Sequence, residues 1–284
     1  MTERAIETVV APLAVSDGAG VRLRRSIATP QLDHLDPFLL FDHFGSENPD
    51  DYLAGFPMHP HRGIETVTYM LDGSVEHRDS LGNEGTIGAG DIQWMTAGSG
   101  ILHEEMPRLG PRRLDGFQIW VNLPARLKMS RPRYQDVPAA RIPELTRPDG
   151  TRIRVVAGEM EGISGAVREI EADPQALDVA LAPGGSFELP VPREHTALVY
   201  LFEGRLTVGP PGKGAEPVAA SRLLVLGKGE LLRARAEDGP ARFLLLSARP
   251  LHEPIARYGP FVMNTEGEIR EALAELRAGT FIRR

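Results

Sequence analysis

The chain has 284 residues, 42% of them hydrophobic, which is enough for two domains of ordinary size or one large one. Its net charge of -7 disfavours direct binding to nucleic acid, which needs a basic surface, and the absence of cysteine excludes disulfides, thiolate metal sites and thiol nucleophiles. No N-terminal leader pattern and no apolar run of about 18 residues occurs. We therefore expect a cytoplasmic protein without membrane contact.

Many short strands joined by turns are predicted from the 30 Gly and 24 Pro, which are spread along the chain without a low-complexity tract. Residues 21–26 alternate apolar and basic side chains, and residues 65–71 read as a strand that ends at the hairpin turn Asp72-Gly73. Further strands are expected at residues 75–78, 92–96 and 116–123. The chain is predicted to be all-β.

Two pairs of polar side chains stand out between Gly55 and Met106. His59 and His61 are two residues apart, as are His103 and Glu105. Side chains at this spacing in an extended segment share one face, so two facing strands bring four donors together. Proline at position 60 has no amide proton and confines the first segment to a sheet edge or a strand entry.

A first-row divalent metal suits a set of three imidazoles and one carboxylate, and it keeps open positions for substrate, dioxygen or water. A single histidine beside Gly and Pro is more often an ordinary loop residue. The repeat of the same spacing on two predicted strands favours the metal site. The period of two also makes five side chains candidates for the pocket wall, with ordinary core placement as the alternative: Gln93, Trp94, Met95, Gln118 and Trp120.

Residues 123–151 are rich in Pro and Arg and are predicted to form a linker. Basic side chains in this stretch could bind an anion or a partner, but a solvated face is the simpler interpretation; they are Arg126, Lys128, Arg131 and Arg133.

A second β-rich half repeats the turns of the first, with Glu203-Gly204 matching Asp72-Gly73 and Gly229-Glu230 matching Gly90-Asp91. In this register the positions of the four candidate ligands are occupied by Pro190, Pro192, Arg242 and Leu244. We therefore predict a duplicated barrel, with a metal-binding domain at residues 1–135 and a ligand-free domain at residues 136–284. His195 and His252 are expected not to bind metal.

The chain is predicted to end in a helix. Thr265 and Glu268 form a capping box, apolar residues at 269, 273 and 276 share one face, and Gly279 ends the helix.

The sequence resembles the pirin family in four stretches: residues 35–42, residues 56–67, residues 90–98 with 100–103, and residues 258–264. The resemblance implies two cupin barrels (double-stranded β-helices, or jelly rolls) packed together, with a short C-terminal helix. It also implies one metal in the N-terminal barrel, held by His59, His61, His103 and Glu105. Glu65, which the general cupin pattern would offer, and Glu104 are not implied as ligands.

The metal implied by the resemblance is Fe(II), with Mn, Ni, Co, Cu or Zn as alternatives, and no organic cofactor is implied. The implied activity is that of a dioxygenase that opens quercetin-like flavonols with O2, in which Glu105 also accepts the substrate proton. The alternative is a metal- or redox-dependent regulatory protein that acts through protein partners without turnover.

Overall fold

The computed structural model describes residues 1–110, 112–210 and 216–283. It is built mainly of antiparallel β-strands in two compact units. The first unit comprises Leu13–Ala139 with Leu251–Arg284, and the second comprises Met1–Pro12 with Ala140–Pro250. No helix in the described residues has the length and apolar character needed to cross a membrane.

The strands of the N-terminal part are β1 (Ile6–Val10), β2 (Leu13–Asp17), β3 (Val21–Ile27), β4 (Phe38–Ser46), β5 (Phe56–His61), β6 (Ile64–Asp72), β7 (Val75–Asp79), β8 (Glu84–Ile87), β9 (Ile92–Thr96), β10 (Ile101–Pro107), β11 (Leu114–Asn122) and β12 (Arg133–Val137). Short 3-10 helices lie at Pro49–Asp51, Ala125–Leu127 and Ala139–Arg141.

The strands that follow are β13 (Glu144–Thr146), β14 (Arg152–Ala157), β15 (Glu159–Met160), β16 (Ile163–Ser164), β17 (Gln175–Leu181), β18 (Ser186–Pro190), β19 (Thr196–Glu203), β20 (Arg205–Val208), β21 (Val218–Ala219), β22 (Arg222–Leu226), β23 (Leu231–Ala236), β24 (Ala241–Ala248), β25 (Ala256–Tyr258) and β26 (Phe261–Met263). The α-helix, α1, spans Glu266–Ala278.

The first unit contains a seven-stranded sheet in the order β12-β9-β6-β11-β4-β3-β2 and a four-stranded sheet in the order β5-β10-β7-β8. Burial alternates along β10, with every second side chain inside, as the strand period requires. One apolar cluster combines Leu23 and Phe44 of the larger sheet with Val75 and Ile87 of the smaller one. The two sheets therefore pack face to face as a cupin barrel.

The second unit repeats this plan, with a seven-stranded sheet in the order β1-β22-β19-β24-β17-β14-β13 and a four-stranded sheet in the order β18-β23-β20-β21. Its interior is filled by apolar side chains such as Leu177, Phe187, Leu232 and Phe243. The prediction of an all-β, duplicated fold is confirmed.

The compact units divide the chain differently from the predicted domains at both ends. The N-terminal β1 pairs with β22 and so joins the second unit. The β25–β26 hairpin and α1 join the first unit, because Phe261, Ile269 and Phe281 form an apolar cluster against which Leu102 packs. Strand pairing and apolar burial, which a linear reading of the chain does not show, place these terminal segments.

The predicted C-terminal helix is confirmed with its caps. The Glu268 amide donates to the Thr265 hydroxyl at 3.2 Å, the Thr265 amide donates to the Glu268 carboxylate at 2.8 Å, and Gly279 ends the helix at φ 71°. The predicted linker is wrong in part: β12 pairs with β9, and β13 pairs with β14.

Candidate metal centre

Two paired strands of the first unit position the candidate ligands. β5 lies at the edge of the four-stranded sheet, as the missing amide proton of Pro60 requires, and it pairs antiparallel with β10. In this register His103 lies opposite His59, and Ile101 lies opposite His61. The register shifts between His103 and Glu105, which turns the backbone of β10 locally.

Three histidines converge on one point. Nitrogen atoms of His59, His61 and His103 all lie within 4.8 Å of one another. The ring centroids are 4.8 Å apart for His59 and His61, 4.5 Å for His59 and His103, and 5.1 Å for His61 and His103. In the described part of the chain this is the one group of three or more histidine, aspartate or glutamate side chains that could hold a metal ion.

The ring nitrogens are oriented for a cation. His59 Nδ1 lies 2.9 Å from the Pro57 carbonyl oxygen, to which it donates as a protonated nitrogen, so the Nε2 lone pair is free. His59 Nε2 is 3.1 Å from His61 Nε2. Two nitrogens bound to one metal at about 2.1 Å and at right angles would be about 3.0 Å apart. The spacing therefore fits two ligands of one ion.

His103 supplies the strongest indication. Its side chain is 1% exposed, and neither Nδ1 nor Nε2 has a hydrogen-bond partner among the described residues. A buried polar group without a partner costs about 1–3 kcal/mol, so a native site normally supplies one. A metal ion at the histidine cluster would satisfy one of these nitrogens.

Burial favours the neutral form of His61 and His103, which is the form that binds metals. It lowers the pKa of His61 well below the ordinary value, and the neighbouring His59 lowers it further. Burial likewise lowers the pKa of His103, and His61 and His59 add to this effect. The donor set suits a first-row divalent ion.

Glu105, the fourth predicted ligand, is buried and lines the same cavity, but its carboxylate lies outside the histidine group. The Thr68 hydroxyl oxygen is 2.9 Å from Glu105 Oε1 and 2.9 Å from Gln118 Oε1, and its single proton is donated to one of them. Thr68 thus holds the carboxylate beside the histidines.

The two glutamates not implied as ligands are engaged elsewhere. Glu65 accepts a hydrogen bond of 2.8 Å from the Thr96 hydroxyl, and Glu104 forms an ion pair with Arg78. Neither belongs to the group of potential ligands in the described residues, nor do His195 and His252.

A cavity of about 490 Å³ opens beside the histidines within the first unit. Its wall is largely apolar and includes Leu23, Leu40, Phe44, Phe56 and Trp120. Trp120 contacts His61 edge to face, with ring centroids 5.1 Å apart. Of the five predicted wall residues, Gln118 and Trp120 line this cavity.

The other three predicted wall residues have different roles. Met95 belongs to an apolar cluster with Ile64 and Ile101, Trp94 is buried, and the Gln93 amide donates to Asp136 at 2.8 Å. Strand periodicity shows which side chains share a face, but it does not show which face meets the cavity.

One part of the wall is polar and was not predicted from the sequence; it is formed by Asp17, Arg25, Asp42 and Arg257. Arg25 binds Asp42 through two hydrogen bonds of 2.8 and 2.6 Å, and it also donates to Asp17 at 2.6 Å. In the sequence, only the basic residues that alternate with apolar ones in β3 could have indicated this polar wall, and the same pattern is equally typical of a solvent-exposed strand face. Arg257 comes from the far end of the chain.

Arg62 links the candidate site to the C-terminal helix. Its side chain is 1% exposed, and its Nε donates at 2.7 Å to the Ser99 carbonyl oxygen, in the turn before β10. Its Nη2 donates at 2.5 Å to Glu275 of α1 and at 3.3 Å to the Phe281 carbonyl oxygen. The residue after His61 thereby connects both ligand-bearing segments to the C-terminal helix.

Family comparisons agree with this architecture. Residues 20–121 match the family model described as Pirin, and residues 176–282 match the one described as Pirin C-terminal cupin domain. A pirin-like protein of Caulobacter vibrioides is 44% identical over 282 residues, covering 99% of this chain and 100% of that protein. Pirin of Homo sapiens is 42% identical over 265 residues, covering 92% of this chain and 88% of that protein.

Solved structures show the same fold. A crystal structure described as quercetin 2,3-dioxygenase from Acinetobacter baumannii superposes with a TM-score of 0.88 at 35% identity, covering 98% of each chain. A bacterial pirin from Escherichia coli, in complex with nickel(II), shares the fold at a TM-score of 0.68 and 22% identity, covering 86% of this chain and 99% of that one. From its sequence relatives and its two cupin domains, this chain belongs to the pirin family.

Proposed function

We propose that this protein is a metal-dependent dioxygenase that opens quercetin-like flavonols with O2. The observation that carries the proposal is the convergence of three histidines, two of them buried, at the edge of a cavity of about 490 Å³. The similarity to the Acinetobacter baumannii protein, whose structure is described as a quercetin 2,3-dioxygenase, supports the choice of substrate.

In this proposal His59, His61 and His103 hold one divalent metal, with Glu105 as the fourth ligand. Iron(II) is the metal we propose, with Mn, Ni, Co, Cu or Zn as alternatives that the same donor set can bind. Three neutral imidazoles and one carboxylate leave a divalent ion with one net positive charge. A deprotonated 3-hydroxy-4-oxo group is a chelate of opposite charge, which is why a flavonolate suits this site.

The chain contributes orientation, water exclusion and proton transfer. The apolar wall formed by Leu40, Phe44 and Phe56 accommodates a flat aromatic body and excludes water from it. Glu105 is the proposed acceptor of the 3-hydroxyl proton at a carboxylate oxygen. In this proposal Thr68 donates its proton to Glu105 rather than to Gln118 and so fixes the orientation of the carboxylate. The metal, when bound, lowers the pKa of the substrate hydroxyl and polarises the oxygen atoms of the chelate.

The reaction consumes one flavonol and one O2, opens the central heterocycle and releases carbon monoxide. The electrons needed to reduce O2 come from the flavonolate itself, so no external reductant is required. This property separates the proposal from dioxygenases that need a second organic reductant, and it can be measured directly.

The test is a single-turnover assay in which metal-loaded protein and quercetin are mixed without oxygen and then exposed to it. We expect loss of quercetin, uptake of O2 and release of carbon monoxide in equal amounts. His59→Ala should abolish the reaction, whereas the exposed His34→Ala should leave it unchanged. Absence of turnover with Fe, Mn, Ni, Co and Cu would refute the enzymatic proposal and favour the regulatory alternative.

A further inference from the structure

The polar part of the cavity wall contains two arginines in very different surroundings. Arg25 is fully engaged, because its guanidinium binds the carboxylates of Asp42 and Asp17. The positive charge of Arg25 is thus neutralised by its two direct partners. A ligand that needed Arg25 would have to displace a bidentate ion pair, which is the stronger kind of hydrogen-bonded pair.

Arg257 has no such partner. Its Nη1 donates at 3.1 Å to the Leu39 carbonyl oxygen, and no carboxylate oxygen of the described residues lies within 4.0 Å of its guanidinium. A guanidinium carries five N–H donors, so several donors remain available to a ligand in the cavity. Asp33, Asp42 and Asp17 act on its positive charge only at longer range, without a direct ion pair. Arg257 is only partly exposed, which strengthens any charge-assisted bond formed there.

The position of Arg257 relative to the histidines is set by Trp120. The Arg257 Cζ atom lies 5.1 Å from the centre of the Trp120 ring, in a cation–π arrangement. The same indole also contacts His61, at 5.1 Å between ring centroids. Arg257 therefore lies no more than about twice this distance from the His61 ring, within reach of one flat ligand that also meets the histidines.

From these contacts we propose that Arg257 determines ligand specificity in this cavity. One end of a flat aromatic ligand lies at the histidines, and Arg257 binds a negatively charged oxygen, carboxylate or phenolate, on the opposite end. The inference rests on the proposed function for the location of the chelating end. It goes beyond that function by naming the charged group that the chain selects and the residue that selects it.

The test compares two matched probes, 3-hydroxyflavone and its 4′-carboxylate, by equilibrium binding to metal-loaded protein in the absence of oxygen. Wild-type protein is expected to bind the carboxylate about 10-fold more tightly, the size of one charge-assisted hydrogen bond at a partly exposed site. Arg257→Met should abolish this preference while changing the affinity for 3-hydroxyflavone by less than about 3-fold, because the methionine preserves the packing on Trp120.

Two further variants control the result. Arg257→Lys keeps the charge but loses the planar donor fork, so it should retain a reduced preference for the carboxylate. Arg270→Met removes an exposed arginine of α1 that does not line the cavity, and it should leave the preference intact. Thermal unfolding of each variant verifies that it is folded before binding is measured.

Three outcomes would overturn the inference: equal weakening of both probes in Arg257→Met, a preference that survives this substitution, or failure of both probes to bind wild-type protein. The result is separable from the turnover assay because binding is measured without oxygen. A carboxylate preference that depends on Arg257, found in a protein that does not degrade quercetin, would support this inference and refute the proposed function.

Discussion

Lys128 provides a sharp test of how burial sets charge in this molecule. The side chain is 1% exposed, and its Nζ donates to the Gly63 carbonyl oxygen at 2.9 Å, the Asn122 amide oxygen at 2.8 Å and the Val262 carbonyl oxygen at 2.9 Å. Burial lowers the pKa of Lys128 from 10.5 to about 8, although Glu253 and Glu268 act in the opposite direction.

The pH dependence follows from the number of protons bound in each state. Below about pH 8 the lysine is charged in both states, so its contribution to the unfolding free energy is constant. Between about pH 8 and pH 10.5 the unfolded chain binds more protons than the folded one, and stability rises with pH. At about 1.4 kcal/mol per pKa unit, the total gain is roughly 3 kcal/mol.

The assay is urea-induced unfolding of wild-type protein and Lys128→Met from pH 7 to pH 10.5. At neutral pH the variant should be less stable, because three buried acceptors lose their donor at about 1–3 kcal/mol each, partly offset by removal of the buried charge. The difference between the two proteins should then grow by roughly 3 kcal/mol as the pH rises.

Lys228→Met, which removes an exposed lysine, is the matched control. A difference between wild type and Lys128→Met that stays flat or narrows with pH would refute the reasoning. Such a result would mean that the hydrogen bonds to the three oxygen acceptors stabilise the charged form of Lys128 by more free energy than burial costs it.

Three other predictions concern the same unit. Gly63→Ala should lower the unfolding free energy, measured in urea, by more than about 2 kcal/mol. A Cβ at this position, where φ is +78°, would collide with the Val262 carbonyl oxygen. Gly82→Ala is the control for backbone strain alone, because Gly82 has a φ of +90° and an added Cβ would meet nothing within 4 Å. Burial and the adjacent Arg24 lower the pKa of His43 to about 3, so below pH 6.5 this side chain binds a proton when the protein unfolds. Stability should therefore fall with decreasing pH between about 6.5 and 3, by up to about 1.4 kcal/mol per pH unit more in wild type than in His43→Gln; equal slopes in acid titrations would contradict this. Removal of metal by a chelator should lower the melting temperature by about 10 °C, the effect of losing roughly 4 kcal/mol of binding energy at saturation, and an unchanged melting curve would argue against a metal site.

Sequence patterns predicted the features that depend on local spacing. The period of two placed His59, His61 and His103 on facing strands, and the capping box located the start of α1. The same reasoning does not reveal which segments a strand or helix packs against. Lys128, expected on a solvated face, is buried, and two of its three partners, Gly63 and Val262, come from distant parts of the chain.

Arg257 was missed for the same reason. It stands 196 positions after His61 in the sequence, and only the folding of β25 against β4 and β11 brings it to the cavity. The role of Glu105 as a metal ligand, which both its spacing from His103 and the family resemblance indicated, stays a prediction, because the carboxylate lies outside the histidine group.

The hydrogen bonds from Arg62 to Glu275 and Phe281 affect the order in which the first unit folds during translation. The strands that carry the candidate ligands, β5 and β10, end at residue 107, but α1, which Arg62 connects to them, begins only at Glu266. Domains generally fold as units once their residues are available, and this unit is interrupted in sequence by the other. We therefore expect the candidate metal site to reach its full order only after α1 has been synthesised, and we expect removal of α1 to disturb a site that lies more than 150 residues upstream.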